Sequence, residues 1–370
     1  MGAKPLTALL RSTKRLQSFS LVLLGMHVSG GITHHLRLWP LGMQLLDVIF
    51  GLDGLRELCI VGIELPLWEW AMKNPGVRVG SSLELFRCEY VSPGLANKTL
   101  SEHEENFHFE NLDLRKVKRL RFCLSIQDRS RSVPARAPQC IETNTKLQAM
   151  LGRCEALEEL WVCNMLQFVP FYSTNHCLFR ARETLKRLRI CSSSGMESPL
   201  LGANPPPEQL RAKQVRVIAD LKVLEVLETT SNWVPWTIES SSIQLLTFID
   251  EPVNYSSVCP GDRPNSLAIN ASNFVDAVMP DMLPALKVIV YTSIDYWENH
   301  FRCDRPILPC MDRSSLAYLA TEKEDRMHGG DNQIGEKCRR ISMKELKYRY
   351  PGLYDGNWEG QLWDESYRFW

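Results

Sequence analysis

The sequence lacks a net charge, a Cys-x-x-Cys pair, a long apolar run and every compact catalytic motif, and each absence narrows what the chain does. Its 43 basic residues balance 43 acidic ones, which removes the global electrostatic footprint of a dedicated nucleic-acid or membrane-surface binder. No stretch approaches the roughly 18 consecutive apolar residues of a membrane-spanning helix. The 12 cysteines are scattered between Cys59 and Cys338. Without a Cys-x-x-Cys pair they read as small core thiols of a reducing compartment, cytoplasmic or nuclear, rather than as zinc ligands or disulfides. Gly-x-Gly-x-x-Gly, a Walker loop, Gly-x-Ser-x-Gly and His-Glu-x-x-His are all missing, so no nucleotide, serine-hydrolase or zinc-protease chemistry is written in a recognisable form. The expectation is a protein without enzymatic activity, cofactor or metal.

The weaker chemical signals point the same way. In SEHEENFHFE, residues 101–110, His103 and His108 lie among four glutamates. A spacing of five does not put them on one helix face, and a strand would point them to opposite sides, so the stretch reads as a solvated acidic loop. His34 and His35 follow a Gly-Gly pair with no carboxylate nearby in sequence. Cys303 and Cys310 bracket a short Pro-containing run, close enough for a disulfide or ligand pair but without matching partners; their redox state is left open. A metal-dependent enzyme built on these residues is the least favoured alternative. Basic residues up to Arg15 precede LQSFSLVLLGM at 16–26, but polar residues interrupt this run as no signal peptide requires, and it fits the repeat below better. Asn97, Asn254 and Asn270 stand in glycosylation sequons short enough to arise by chance. Leu6 occupies the place where a myristoylation motif wants Ser or Thr.

What the sequence does contain is a globular composition, 44% hydrophobic and 23% charged over 370 residues, sufficient for two ordinary domains or one elongated array. An outline, apolar-x-x-apolar-x-apolar, recurs with its first position at Leu16, Leu55, Leu83, Val117, Leu157, Leu185, Leu221, Ile243 and Leu286. The last two apolar positions alternate as a short strand with one buried face does. Stretches with helical spacing precede most copies. LQAMLGRCEAL places Leu147, Met150, Leu151 and Cys154 on one stripe, and MQLLDVIFGLDGL, LFRARETL, QLRAKQVRVIADL and NFVDAVMPDML read similarly. One helix-turn-strand unit cannot bury its own apolar face, whereas stacked units share a core.

In its strand wording, uneven spacing and Pro/Ser-rich excursions the chain resembles the irregular leucine-rich repeats in the C-terminal region of fungal F-box proteins. The expected fold is α/β, an irregular leucine-rich-repeat solenoid or arc with parallel strands on the concave face and helices outside. It departs from the familiar repeat: three residues after the last apolar strand position, where Asn or Cys is usual, stand Ile63, Met165 and Ser193. An ordinary α/β domain is the competing expectation. The expected organisation is an arc over 1–295, a poorly ordered linker over 296–341, and a tail over 342–370. Within the tail SMKELKYRY forms a helix started by Ser342 and Glu345 as a capping box, and the aromatics Tyr350, Tyr354, Trp358, Trp363, Tyr367, Phe369 and Trp370 fold back as a cap or dock a partner.

In such an arc the strand residues between the apolar ones face outward. Lys118, Arg119 and Arg121, then Glu158, Glu159 and Trp161, then Lys186, Arg187 and Arg189, then Lys222 and Glu225, would form a concave surface of Arg clusters around an exposed Trp. That is the composition of a protein-binding hot spot. The interspersed glutamates rank nucleic acid below protein as partner. The resemblance implies a client protein held for ubiquitin transfer, with a ligase adaptor as second partner if an F-box exists upstream. No F-box is found after Met1, since the chain is already inside a repeat by Leu16, and a truncated gene is the expectation that accounts for this. The alternative is a scaffold of the same fold unrelated to ubiquitin.

Overall fold

A computed structural model of the chain describes residues 3–13, 15–22, 35–65, 70, 73–74, 80–91, 113–124, 151–163, 178–191, 218–230, 239–250, 282–296, 311–320 and 338–353. It is α/β, built on parallel strands with few helices among the described residues. The chain forms two compact units, Met1–Leu185 with Ser198–Leu200, and Lys186–Glu197 with Leu201–Trp370. These boundaries differ from the expected arc, linker and tail.

The first unit contains α1 (Ala3–Ser12), β1 (Ser18–Val22), α2 (His35–Ile49), β2 (Glu57–Leu65), β3 (Leu85–Val91), β4 (Arg119–Leu124) and β5 (Glu159–Cys163). The five strands pair in chain order and all pairs are parallel. The register aligns Phe19, Leu58, Phe86, Leu120 and Leu160, so the fourth position of each repeat copy falls in one row. Leu58, Phe86, Leu120 and Leu160 are fully buried, as are Leu45, Leu46 and Ile49 of α2, which packs along β2. Burying a side chain of this size contributes about 1.5–3 kcal/mol. Trp70 stacks at a tilt on Phe50, 4.7 Å between ring centroids, and its Nε1–H donates to Asp47 Oδ1 at 2.7 Å.

In three copies of this unit the first apolar position closes the turn that precedes the strand. The N–H groups of Leu55, Leu83 and Val117 donate to the carbonyls of Leu52, Gly80 and Leu114, three residues earlier, at 3.2, 2.9 and 3.0 Å. Gly80 adopts φ 82°, a left-handed conformation that glycine reaches without steric cost. The next residue then joins the stack. Gln17 O accepts from the N–H groups of Arg56 and Glu57, Arg56 O from Glu84 and Leu85, Glu84 O from Lys118 and Arg119, and Lys118 O from Glu158 and Glu159, all between 2.7 and 3.1 Å. In place of an Asn ladder, hydroxyls on the strand-entry side tie turn to turn: Ser82 Oγ donates to Asp53 O, and Thr184 Oγ1 donates to Leu157 O at 2.8 Å.

The second unit contains β6 (Arg187–Cys191), β7 (Val226–Thr230), β8 (Leu245–Asp250), β9 (Val288–Tyr296), β10 (Met311–Ala320), β11 (Cys338–Ile341) and α3 (Met343–Arg349). β6 to β9 pair parallel in chain order with Leu188, Leu227, Leu246 and Ile289 in one buried row. Lys186 O accepts from Glu225 and Val226, Glu225 O from Gln244 and Leu245, and Gln244 O from Lys287 and Val288. Ser242 Oγ donates to Leu224 O at 2.9 Å. β10 then runs antiparallel to β9, and β11 antiparallel to β10.

Three expectations need correction. The span 296–341 supplies two strands rather than only a linker. In LKVLEVLE the strand begins at Val226, so the repeat frame is Leu224-x-x-Leu227 rather than Leu221-x-x-Leu224. Leucines at 221, 224 and 227 satisfy both frames, and the structure takes the later one, with the Leu224 N–H closing a turn on Leu221 O. LFRARETL forms a single 3-10 turn at Phe179–Ala181, which already buries Leu178, Ala181 and Leu185. MQLLDVIFGLDGL does carry a helix, as the end of α2. Residues 147–150 of LQAMLGRCEAL lie outside the described residues, whereas Leu151 and Cys154 of its stripe are buried, the Cys154 N–H donating to Leu151 O at 3.0 Å; QLRAKQVRVIADL and NFVDAVMPDML lie mostly outside them.

Candidate protein-binding face

The side chains between the buried rows define the second face of each sheet. In the first unit this face carries two rows: Ser18, Glu57, Leu85, Arg119 and Glu159, then Ser20, Cys59, Arg87, Arg121 and Trp161. The entry row ahead of them is Arg56, Glu84, Lys118 and Glu158, alternating in sign. Neighbouring strands lie about 4.8 Å apart, so an opposite charge is always within side-chain reach. Lys118 Nζ meets Glu84 Oε2 at 2.9 Å, and Arg119 reaches across Leu85 to Glu57 at 3.6 Å. Lys118 donates a hydrogen bond to the Glu84 carboxylate and holds it below its ordinary range; Arg56 and Arg119 add to the effect.

The inner row departs from expectation. Trp161 is 1% exposed, and Arg121 and Arg87 are buried beside it. The Arg121 guanidinium lies 5.6 Å from the centre of the Trp161 ring, within cation-π range, and 3.8 Å from Glu159. The exposed Trp expected at the centre of a hot spot is therefore a core residue. Alternation identifies which side chains share a face but not whether that face meets water, and parallel sheets are commonly covered on both.

The second unit repeats the correction more strongly. Arg189 and Glu228 are 2% and 1% exposed and pair at 3.0 Å. Glu228 was not singled out from the sequence because the frame was set three residues early. In the observed register it faces Arg189, while Glu225 takes the entry position equivalent to Lys186, and Lys222 lies exposed in the turn before the strand. Lys186 is exposed; Arg187, half-buried, donates through Nη2 to the carbonyl of Gly352. Thr247 follows Glu228 in the same row and is also buried, while Val226, Leu245, Val288 and Val290 on this face form a cluster with Ile341 and Leu346, against which Tyr350 and Leu353 pack.

Of the eleven residues picked from the sequence, Lys118, Arg119, Glu158 and Glu159 lie together on the accessible part of the first unit, with Arg56, Glu57 and Glu84 added by the structure. Lys186, Arg187, Glu225 and Lys222 remain at least partly accessible in the second, and Arg121, Trp161 and Arg189 are interior. His34, His103, His108, Cys303, Cys310, the three sequons and residues 354–370 lie outside the described residues; His35 begins α2. Among the described residues no group of three or more His, Cys, Asp or Glu side chains is placed to hold a metal ion, and no helix is long and apolar enough to cross a membrane. No protein-family model matches the chain, and none of the curated proteins matches it.

Proposed function

We propose that this chain is a non-enzymatic protein-interaction module of the irregular leucine-rich-repeat kind, and that it recognises a client protein through the charged rows of the first unit. The observation that carries this reading is the register. Parallel pairing puts Arg56, Glu84, Lys118 and Glu158 in one line, and Glu57, Arg119 and Glu159 in a second, so variable strand letters become a continuous patterned surface. Mixed, ordered charge of this sort favours specificity and steering of a protein partner. The resemblance to F-box proteins extends the reading to a client held for ubiquitin transfer in the cytoplasm or nucleus.

Affinity capture with mass spectrometry tests it, comparing the chain with a Lys118→Glu, Arg119→Glu variant. Charge reversal at Arg189 is unsuitable, because it would break the buried pair with Glu228. A defined set of proteins lost in the variant supports the reading; identical capture by both overturns it. Recovery of a ubiquitin-ligase adaptor supports the F-box extension, whereas a stable partner set without one favours a scaffold.

A further inference from the structure

The buried row of the first unit is open at one end. Leu58, Phe86, Leu120 and Leu160 are fully buried, but Phe19, in the same row, is only half-buried. Leu21 is half-buried beside Ile60 at 0% exposure, and Leu16 stands half-buried at the repeat position where Leu55 is 3% exposed. β1 is the terminal strand and pairs only with β2 among the described residues. Gln17 O faces β2, where it accepts from the N–H groups of Arg56 and Glu57. Backbone groups alternate in direction along a strand, so the N–H and C=O of Ser18, Ser20 and Val22 point away from β2, toward the edge.

Charge, proline or a bulge usually blunts such an edge against pairing. β11, the terminal strand of the second unit, reads CRRI and places two arginines in its edge. β1 reads SFSLV, with no charged residue and no proline, and it pairs with β2 without a register shift.

We infer that β1 is a dimerisation edge, pairing antiparallel with β1 of a second copy across a two-fold axis at Ser20. The strand complements itself in the register that uses all five of its residues. Ser20 meets its own counterpart, Ser18 meets Val22, and these are the residues whose backbone groups point outward, so they form the hydrogen-bonded pairs. Phe19 then meets Leu21 on the face of the buried leucine row, where the contact covers the surface that each leaves open. A neutral strand brings no like charges together at such an isologous contact. A strand of another protein would not require SFSLV to match itself; that symmetry is what favours a second copy. The inference goes beyond client binding and stands without it, since β1 is three strands away from Lys118 and Arg119 at β4.

Sedimentation over a dilution series tests it on the full chain. The wild-type chain is expected to be a dimer that dissociates on dilution. Ser20 is exposed, so Ser20→Lys leaves the core intact while setting two cations opposite each other at the axis, and it raises the dissociation constant at least about 10-fold. Ser20→Glu does the same with two anions, and an equal mixture of the two variants recovers the dimer by placing Lys against Glu. A wild-type chain that stays monomeric throughout overturns the inference. So does a dimer indifferent to Ser20→Lys, or one that mixing fails to restore. Hydrogen exchange on the wild-type chain gives a readout that needs no substitution. Amides of Ser18, Ser20 and Val22 exchanging at least about 10-fold more slowly in the concentrated than in the dilute sample support the pairing, and rates independent of concentration overturn it.

Discussion

The two units use one backbone pattern for opposite surfaces. At the first strand position the first unit places Glu57, Leu85, Arg119 and Glu159, none of them buried. The second places Arg187, half-buried, then Val226, Leu245 and Val288, these three 2% exposed or less. Pairing geometry does not explain the difference, because both sets sit in parallel ladders entered by the same doubled hydrogen bond. What differs is coverage. In the second unit a segment near the C-terminus lies over these positions, and an uncovered Val or Leu row there would expose a contiguous apolar patch. Solvent access, rather than strand geometry, chooses the side chain.

The strongest way to break this comparison is at the buried ion pair. Glu228→Ala removes the carboxylate that pairs with the interior Arg189, and is expected to destabilise the second unit by about 3–5 kcal/mol. Glu159→Ala in the first unit, where the acid is 23% exposed and 3.8 Å from Arg121, is expected to cost less. Replacing Arg189 by Met together with Glu228 by Leu should restore most of the lost stability. Hydrogen exchange resolved by unit is the measurement, since a chain with two compact units need not unfold in one step. Equal losses for the two glutamates would contradict the assigned burial.

Leu85 and Leu245 sharpen the contrast because they are the same residue at the same strand position. Leu245 is 2% exposed within the apolar cluster, whereas Leu85 is half-buried between Glu57 and Arg119. Leu245→Ala is expected to cost about 2–5 kcal/mol, and Leu85→Ala about 1 kcal/mol because less apolar surface returns to water. Urea midpoints of the two variants, with exchange to locate the weakened unit, test this ordering.

Much of the contrast was already readable. A charged residue, Glu57, Arg119 or Glu159, precedes the leucine of LCIV, LRFC and LWVC in the first unit, and RLRF alternates cleanly. VL in β7, LL in β8 and VIV in β9 run apolar through both faces, which is the pattern of a doubly covered parallel strand. The strand positions themselves were correct for eight of the nine copies. The ninth failed where leucines spaced by three let two frames fit, and the price was missing Glu228 as the partner of Arg189. The burial of Trp161 had no local signal at all. ELWVC alternates as though one face were open, and only the tertiary cover makes its tryptophan interior. The strands β10 and β11 were hidden because antiparallel returns do not carry the repeat's leucine outline.

A smaller effect separates the turn rungs. Thr184→Val removes the hydroxyl that reaches Leu157 O in the first unit, and Ser242→Ala the one that reaches Leu224 O in the second. Each is expected to cost about 1 kcal/mol, with exchange at the adjoining turn amides as the readout. If either change proves neutral, that hydroxyl does not connect its turns in solution.

The smallest effect distinguishes the units by acid sensitivity. On the entry row Lys118 binds Glu84 in the first unit, and Lys287 binds the neutral Gln244 at 2.8 Å in the second. The hydrogen bond and charge of Lys118 hold the Glu84 carboxyl below its ordinary value of 4.5. Folding therefore makes this group harder to protonate, so its stabilising contribution is present above the unfolded value and is lost as pH falls through the lower folded one. Gln244 has no proton to take up over that range and its rung stays unchanged. Glu84→Gln should abolish the acid response of this rung in the first unit, and Gln244→Glu should introduce one at the equivalent rung of the second. Carboxyl NMR titration reads both: a Glu84 midpoint at or above the ordinary value would remove the pairing with Lys118 from the solution structure. A Gln244→Glu midpoint below that value would show that the entry row of either unit accepts the same charge pair.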